Sequence, residues 1–237
     1  MPSLKDSHIV VTGGTGALGV AVVRALVEAG AHCHIPAIEA DVPADRFPKS
    51  GVTVTTKVDL SDEASVEAFY AKLPPLKGVV NIAGGFAWAP IADSALKVFQ
   101  QQMAMNFTSC VLSCRSAVAN FRKAKVQGTI TGGHIVNITA RPALNPRQGA
   151  GMTAYTSSKA AVAAFTVALA EELKGENISV IALAPSTIDT PVNRKDMPQA
   201  DHAAWVKPAA IAELIAAHMA LSETINSGAL IPIYGKA

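Results

Sequence analysis

Tyr155 and Lys159 are the residues whose types and spacing most directly suggest chemistry, since a phenol and an ammonium group stand four positions apart. If this segment is helical, both side chains lie on one face, one turn from each other. A free tyrosine ionises near pH ~10, and a neighbouring positive charge lowers that pKa toward the range in which the phenol exchanges protons with a substrate. Reaching neutrality requires about 4 kcal/mol, more than one lysine supplies, so a second positive group would help. Because ordinary surface pairs have the same spacing, the pair needs support from the rest of the chain.

A glycine-rich turn near the start of the chain predicts a site for a phosphate group. Residues 8–11 predict a strand, and residues 20–29 carry apolar side chains at helical spacing. Between them, Gly14, Gly16 and Gly19 have the GxGxxG spacing, in which missing side chains let the backbone approach a pyrophosphate at a helix N-terminus. Tight turns also require glycine for steric reasons, but the context of strand, turn and helix favours nucleotide binding. The candidate binding residues of this turn are Gly13, Thr15, Gly16, Ala17, Leu18 and Gly19.

The end of the second strand, predicted at residues 33–38, is where a dinucleotide site distinguishes NAD from NADP. An acidic residue there hydrogen-bonds the ribose hydroxyls, whereas a basic residue accommodates the extra phosphate. The expected position falls on Pro36 or Ala37, which are both neutral. Glu39 follows two residues later, and the basic Arg46 lies in the next loop. The sequence therefore leaves NAD and NADP both open as the cofactor.

Two further segments place polar or small residues at the end of a predicted strand. Residues 52–58 alternate threonine and valine and lead to Asp59, a candidate for the adenine edge, while Ser61 is the predicted N-cap of a helix over residues 63–73. Residues 78–83 predict a buried strand that runs into two glycines, which suggests a second close approach of backbone to a ligand. The candidates there are Ala83, Gly84 and Gly85.

Strands that alternate with helices predict an α/β fold, namely a doubly wound, Rossmann-type parallel sheet with helices on both faces. The remaining strands are predicted at residues 133–140, 178–184 and 228–233, and a long helix is predicted at 93–121. Asn106 lies in the middle of that helix, where asparagine is a modest helix former. Its side chain either orients the lysine of a catalytic set or is simply exposed to solvent.

Composition and charge narrow the class of protein. Half of the 237 residues are hydrophobic and 16% are charged, which favours a large buried core, and a net charge of +2 is too small for a nucleic-acid surface. The three cysteines form no metal-like cluster with histidines and indicate a reducing, cytoplasmic location. The first residues lack a signal-peptide core and no apolar run reaches membrane-spanning length, so a soluble protein is expected. Without a linker or repeat, residues 1–237 are predicted to form one nucleotide-binding and catalytic domain.

Taken together, these features resemble the short-chain dehydrogenase/reductase (SDR) family over nearly the whole chain. The resemblance implies an NAD(P)-dependent oxidoreductase in which Tyr155 donates or accepts the proton, while Lys159 holds the nicotinamide ribose and lowers the tyrosine's pKa. It implies that Asn106 anchors a water-linked proton path. In this family the helices around 94–120 and after Tyr155 usually pair with symmetry mates, which implies a homodimer or homotetramer acting on a small molecule. Besides the glycine turn and the residues just named, the matching features are Asp59, Asn81-Ile82-Ala83-Gly84 and Ser227-Gly228-Ala229, together with Pro185, Ile188 and Thr190 at the nicotinamide end.

The chain departs from the family pattern at two positions. Ala140 stands where the family has a serine that polarises the substrate carbonyl, and the adjacent Thr139 should face the other side of the sheet. Ala17 stands where the family commonly has glycine. Both departures are shared by the dihydropteridine reductase subgroup, which passes hydride to a quinonoid dihydropterin and in which a missing serine is intelligible. The stretches similar to that subgroup are residues 13–19, 83–88, 140–144 and 188–198, continuing to Ala200, Asp201 and Trp205. The neutral end of the second strand differs from this subgroup, which has an acid there for NADH.

Three hypotheses follow. The first is a reductase of quinonoid dihydropterin or a similar planar, conjugated acceptor. The second is an ordinary carbonyl or hydroxyl oxidoreductase in which Thr139 or a water replaces the serine. The third is a nucleotide-sensing protein without turnover, against which the intact Tyr155 and Lys159 argue. Under the first hypothesis the substrate pocket would consist of Phe86, Trp88, the Arg141 loop, Tyr155 and residues 191–205.

Overall fold

Seven apolar segments form one parallel sheet in a computed structural model that describes residues 3–222 and 224–236. The strands lie in the order β3-β2-β1-β4-β5-β6-β7, and every neighbouring pair is parallel. Strands β4, β5 and β6 are buried along their whole length, as expected for parallel strands covered on both faces. The strands are β1 (His8–Thr12), β2 (His32–Pro36), β3 (Val52–Thr55), β4 (Gly78–Asn81), β5 (Gly133–Ile138), β6 (Ile178–Pro185) and β7 (Leu230–Ile233).

Helices cover both faces of the sheet. The two faces are separated within β1, because Ile9 and Val11 belong to one apolar core and Val10 belongs to the other. Helices α1 and α8 pack over the first core, and α2, α4 and α6 pack over the second. The predicted doubly wound α/β fold is therefore confirmed. The helices are α1 (Ala17–Glu28), α2 (Glu63–Tyr70), α3 (Leu96–Gln102), a π-helical segment (Met103–Thr108), α4 (Ser109–Val126), α5 (Arg141–Leu144), α6 (Thr153–Glu172), α7 (Pro191–Asp196) and α8 (Pro208–Met219).

The strand order reverses at β1, which has β2 on one side and β4 on the other. In sheets of this kind the chain leaves adjacent strands in opposite directions at such a point, and a crevice opens at their carboxyl ends. The hydroxyl of Thr12, at the end of β1, accepts hydrogen bonds from the backbone N–H groups of Ile82 (3.1 Å) and Ala83 (3.2 Å). This side chain holds the turn after β4 against the glycine turn after β1.

The predicted long helix over residues 93–121 is interrupted. Helix α3 passes into the π-helical segment Met103–Thr108 before α4 begins, and Asn106 lies within that segment. Such local widening of a helix is frequent at functional sites. The periodicity of the sequence did not reveal it, because a single extra residue per turn leaves the apolar pattern on either side nearly intact.

The predicted N-cap of α2 was wrong by one residue. Asp62 caps the helix by accepting a hydrogen bond from the N–H of Ser65 (2.8 Å), whereas the Ser61 hydroxyl donates to the Asp59 carboxylate (2.7 Å). Strands β2 to β5 also end a few residues before the predicted limits. The residues beyond these ends leave the sheet at its carboxyl edge, where the candidate site lies. Within the described residues, none of the helices combines the length and apolar character needed to cross a membrane.

Candidate active site

The glycine turn after β1 leaves room for a ligand at one glycine only. Gly13 has a φ of +64°, and a methyl group there would lie 2.7 Å from the backbone nitrogen of Ala83. A methyl group at Gly19 would lie 2.1 Å from the carbonyl oxygen of Gly13. At Gly16 the nearest atom would be 3.4 Å away, which is ordinary contact. Packing inside the protein therefore explains why Gly13 and Gly19 are glycines. It does not explain Gly16, where the missing side chain leaves space for a ligand to approach the backbone.

A cleft of about 530 Å³ opens beside this turn, at the carboxyl ends of β1 to β4. Two carboxylates, Glu39 and Asp59, lie in its wall, and no lysine or arginine does among the described residues. Glu39 accepts a hydrogen bond from the Thr15 hydroxyl (3.1 Å), and Arg46 donates to the Thr15 carbonyl oxygen (2.9 Å) from outside the wall. The lining residues are Gly13, Thr15, Pro36, Ala37, Ile38, Glu39, Val58, Asp59, Leu60, Ser61, Ala83, Gly84, Gln101, Ala104, Met105 and Ser109.

Five of the predicted cofactor residues line this cleft, and the others are placed differently. Leu18 packs its side chain into the apolar core, and Ala17 faces a groove between α1 and α8. Ile188 packs against the same core. The Thr190 hydroxyl caps the N-terminus of α7 by accepting a hydrogen bond from the backbone N–H of Asn193 (3.2 Å). The five in the wall are Gly13, Thr15, Asp59, Ala83 and Gly84, with Gly16, Gly19 and Gly85 in the adjoining turns and Pro185 at the end of β6.

Lys159 is buried beside the inner end of the cleft. Its Nζ donates to the carbonyl oxygen of Ile138, at the end of β5 (2.9 Å), and a methyl group on Gly84 would lie 3.4 Å from it. Within residues 3–222 and 224–236 it has no carboxylate partner. Burial lowers the pKa of Lys159 to about 8. The side chain is thus a buried amine whose charge the protein stabilises with backbone oxygen alone.

Tyr155 lies one turn before Lys159 on α6, as the spacing predicts. Burial raises the pKa of its phenol to about 12, so Lys159 does not bring it down to neutrality in the protein alone. This agrees with the expectation that one lysine alone does not bring the pKa of the phenol to neutrality. A phenol with this pKa carries its proton at neutral pH, which is the state required of a proton donor.

Asn106 is buried, and its side chain is fully occupied by protein groups. Its Oδ1 accepts from the N–H of Gly85 (2.9 Å), and its Nδ2 donates to the Gly85 carbonyl oxygen (3.0 Å), to Gln102 Oε1 (3.0 Å) and to the Ser158 hydroxyl (3.0 Å). The Ser158 hydroxyl in turn donates to the carbonyl oxygen of Tyr155 (2.8 Å). Asn106 therefore ties the turn after β4 to the helix that carries Tyr155, and any link to Lys159 would have to use its main chain.

The position where the family has a serine is buried in this protein, and so is the residue before it. Ala140 is buried in extended backbone just before α5. The Thr139 hydroxyl is also buried and donates to the carbonyl oxygen of Lys159 at 2.6 Å, so it faces the helix and not the cleft. The sequence-based expectation that Thr139 points away from the substrate agrees with this hydrogen bond. The Thr139 hydroxyl is therefore not available to polarise a substrate.

Aromatic side chains form the outer wall near Tyr155. The ring of Phe86 meets the ring of Tyr155 edge to face with centroids 5.0 Å apart. Trp88 lies against Gly151, where a methyl group would come within 2.6 Å of the indole, and the Ala89 N–H donates to the Gly151 carbonyl oxygen (2.9 Å). Phe86 and Trp88 are nevertheless 60% and 63% exposed, which is unusual for aromatic side chains. The loop after β4 and the loop before α6 are thus joined into a wall that presents two rings to solvent.

The sequence did not single out every residue in this arrangement. Ser158 stands inside the segment that carries Tyr155 and Lys159, but helical spacing gave no reason to expect its contact with Asn106. Gln102 and Met105 lie on the interrupted helix, and only knowledge of the π-helical segment would have predicted their orientation. Glu39 was noted as late for the second strand, and it enters the cleft because β2 ends at Pro36.

Comparison with known proteins identifies the family and agrees with the fold. The profile of the family described as short chain dehydrogenase matches residues 7–201. The probable oxidoreductase EphD of Mycobacterium tuberculosis is 31% identical over 193 residues, which cover 78% of this chain but only 31% of that relative. The rhamnolipids biosynthesis 3-oxoacyl-(acyl-carrier-protein) reductase of Pseudomonas aeruginosa is 29% identical over 250 residues, which cover 98% of this chain and 96% of the relative.

Two solved structures share the architecture. One is titled short chain dehydrogenase/reductase family protein and superposes with a TM-score of 0.84 over 99% of this chain and 98% of that chain, at 24% identity. The other is the crystal structure of gox2181, with a TM-score of 0.85 over 98% of this chain and 95% of that chain, at 23% identity. At these identities the superpositions show the fold alone.

Proposed function

Because this chain belongs to the short chain dehydrogenase family, we propose that it is an NAD(P)-dependent oxidoreductase that transfers hydride between the nucleotide and a small molecule. The observation that carries the proposal is the position of Lys159, whose Nζ lies beside Gly84 in the wall of the cleft, with Tyr155 one turn away. The bound nicotinamide ring would supply or accept the hydride. The residues present fit a dinucleotide, since internal packing leaves room for a methyl group at Gly16 and the cleft extends from the glycine turn to Gly84.

Tyr155, Lys159 and Asn106 have distinct roles in this proposal. In the reductive direction the acceptor gains a hydride at one atom and a proton from the Tyr155 phenol at another. Lys159 would hold the ribose of the nucleotide and would place a positive charge near the phenol of Tyr155. Asn106 fixes the turn at Gly85 and the backbone of Tyr155, so it orients both sides of the site.

We propose NAD(H) as the preferred nucleotide. Glu39 lies in the cleft wall just beyond β2, where a carboxylate accepts hydrogen bonds from ribose hydroxyls and repels a 2′-phosphate. Arg46, the base closest in sequence, is directed to the carbonyl oxygen of Thr15. Asp59, in the cleft wall, would contact the adenine edge. Pro185, Ile188 and Thr190 would contribute mainly backbone and shape.

For the substrate we propose a planar, conjugated acceptor, with quinonoid dihydropterin as the first compound to test. Support comes from the sealed position of Ala140 and from the exposed rings of Phe86 and Trp88, on which a flat heterocycle could stack. The second candidate is an ordinary ketone or alcohol, favoured by the relative named as a 3-oxoacyl reductase, which matches nearly the whole chain. A nucleotide sensor without turnover is the third.

The test is oxidation of NADH and, separately, NADPH by the purified protein against enzymatically generated quinonoid dihydrobiopterin, above the chemical background. Rapid oxidation of NADH, and much slower oxidation of NADPH, is the expected result. Oxidation only in the presence of ketones would support the second candidate. Nucleotide binding by fluorescence without oxidation by any acceptor would favour the sensor, and absence of nucleotide binding would refute the proposal as a whole.

We also propose that the protein is a homodimer or homotetramer through α4 and α6. The rings of Phe107 and Phe165 meet with centroids 6.0 Å apart at the junction of these helices, and Val167 on α6 is 44% exposed. Light scattering should give a multiple of the chain mass. A monomeric mass would mean that these side chains only cover the sheet.

A further inference from the structure

Arg141 is a partly buried arginine that has no acidic partner within the described residues. Its Nε is buried and has no hydrogen-bond partner in residues 3–222 and 224–236. The contact that its guanidinium does make is with the ring of Tyr234, whose centroid lies 4.7 Å from the guanidinium carbon. A cation–π contact does not replace the hydrogen bonds of a buried N–H group. The structure thus contains a cationic donor that the protein itself leaves unsatisfied.

Three other arginines of the same protein meet a carboxylate although their side chains are at least half exposed. An exposed charge needs such a partner least, because water already solvates it. Within the described residues Arg24, Arg46 and Arg147 also have no carboxylate partner, but Arg24 and Arg46 donate to backbone carbonyl oxygens and Arg147 is exposed to water. What distinguishes Arg141 is therefore a buried, unpaired Nε together with the absence of a carboxylate. The paired arginines are Arg115 with Glu63 and Glu67, Arg122 with Glu176, and Arg194 with Asp189.

The place of Arg141 in the fold connects it with the substrate side of the cleft. It follows Ala140 directly and begins α5, which packs against α6 and hence against the helix of Tyr155. Tyr234 follows β7, and its carbonyl oxygen accepts a hydrogen bond from the Ser186 hydroxyl after β6 (2.9 Å). The guanidinium is therefore held at the carboxyl edge of β5 to β7, the same edge of the sheet as the Tyr155 phenol.

We propose that Arg141 binds an anionic group of the substrate, a carboxylate adjacent to the reacting oxo group, and so determines specificity for oxo acids. This inference rests on the proposed hydride transfer, and under it the planar acceptor is an oxo acid and not the quinonoid dihydropterin, which has no carboxylate. A guanidinium offers donors in a planar fork that matches the two oxygens of a carboxylate, and the ring of Tyr234 holds that fork in place. Because the ring of Phe86 packs against the Tyr155 phenol, the site favours a planar aromatic 2-oxo acid over a neutral ketone.

The test compares benzoylformate with its methyl ester, which has the same ring and the same oxo group but no negative charge. Both are titrated into the protein saturated with NAD⁺, which has no hydride to give, and binding is followed by tryptophan fluorescence. The unmodified protein should bind the acid at least about tenfold more tightly than the ester. Equal affinity for acid and ester, or no binding of the acid at millimolar concentration, would overturn the proposal without any variant.

Variants then assign the preference to this residue. Arg141→Met keeps an unbranched side chain over Tyr234 and should abolish the preference for the acid, whereas Arg141→Lys should keep part of it. Arg147→Met is the matched control, since it removes the same charge from an exposed position in the same loop and should leave the preference intact. If circular dichroism shows that Arg141→Met is unfolded, the affinities of Arg141→Lys for the acid and the ester become the test. A lysine variant that keeps the full preference for the acid would count against binding of the carboxylate by the planar guanidinium.

The two proposals fail in different ways. Failure to bind NAD⁺ or NADP⁺ at all would refute the oxidoreductase assignment. Normal binding of NAD⁺ with no discrimination between acid and ester would refute the role of Arg141 alone.

Discussion

The two halves of the candidate site share one edge of the sheet but are built from different materials. The nucleotide half, around the glycine turn and the ends of β1 to β4, is made of backbone and small residues in contacts as tight as the one between Gly13 and Gly19. The substrate half, around the ends of β5 to β7 and the part of the loop after β4 that carries Phe86 and Trp88, presents two exposed rings and an arginine without a carboxylate. Packing leaves little room for larger side chains at Gly13 and Gly19 in the first half, whereas the exposed rings of Phe86 and Trp88 in the second are less constrained by packing. Such a division keeps the chemistry constant and leaves substrate choice to the loops.

The largest effect should come from the residue that serves the reacting atoms. Tyr155→Phe removes the proton donor and should reduce turnover by about 10²–10⁴-fold, while NADH affinity stays nearly unchanged because the ring remains against Phe86. Steady-state oxidation of NADH and fluorescence titration measure the two quantities separately. Tyr70→Phe is the control, since it deletes a phenol that bonds Ser113 in the core and does not line the cleft. Turnover unaltered in Tyr155→Phe would remove the tyrosine from the mechanism.

Lys159 belongs to both halves, and its buried charge should cost stability. Its folded pKa of about 8 lies below the ordinary value of 10.5, so between these values the unfolded chain binds a proton that the folded protein does not. The free energy of unfolding should therefore rise with pH through this window. Lys159→Met should be more stable than the unmodified protein at neutral pH by on the order of 1–3 kcal/mol, a difference that shrinks above about pH 8.

Urea unfolding of both proteins from neutral pH to about pH 9.5 measures this difference and stops below the ordinary ionisation of tyrosine. Lys174→Met is the control, because its side chain is exposed beside Glu171 and its removal should change stability little. A difference between Lys159→Met and the unmodified protein that does not depend on pH would mean that packing, and not the buried charge, causes it.

The contrast between the halves also decides what the sequence could predict. Gly13 and Gly19 could be predicted because crowding of the backbone requires glycine there, and the requirement is visible in the sequence as a glycine-rich turn between a strand and a helix. The fold could be predicted from apolar strands that alternate with amphipathic helices. Asn106 was noticed as an anomaly, but its contacts depend on a π-helical segment that leaves no periodic signal. The unsatisfied Nε of Arg141 and its stacking on Tyr234 depend on where two distant loops meet, which local pattern does not specify.

A smaller effect tests whether the nucleotide half is built for a ligand or only for the turn. Gly16→Ala should fold normally, because the added methyl group has only an ordinary contact at 3.4 Å, yet it should weaken NADH binding by about tenfold if a pyrophosphate approaches this backbone. Gly19→Ala is the comparison variant and should lose stability even without nucleotide, since its methyl group would collide with Gly13. Full NADH affinity in Gly16→Ala would place the phosphates elsewhere.

The smallest effect concerns Glu39, the charged side chain in the cleft wall that we propose selects between NADH and NADPH. Glu39→Gln keeps the size of the side chain and removes its charge, so it should relax the preference for NADH over NADPH by several-fold, on the order of 1 kcal/mol. Separate titrations with the two nucleotides measure it, and Asp45→Asn, in the exposed loop beyond, is the control for net charge. Because Glu39 bonds Thr15 within the turn itself, a loss of affinity for both nucleotides alike would mean that this carboxylate supports the turn. Glu39 would then not select between NADH and NADPH. The selectivity of the protein would come from the loops of the substrate half, which select the substrate.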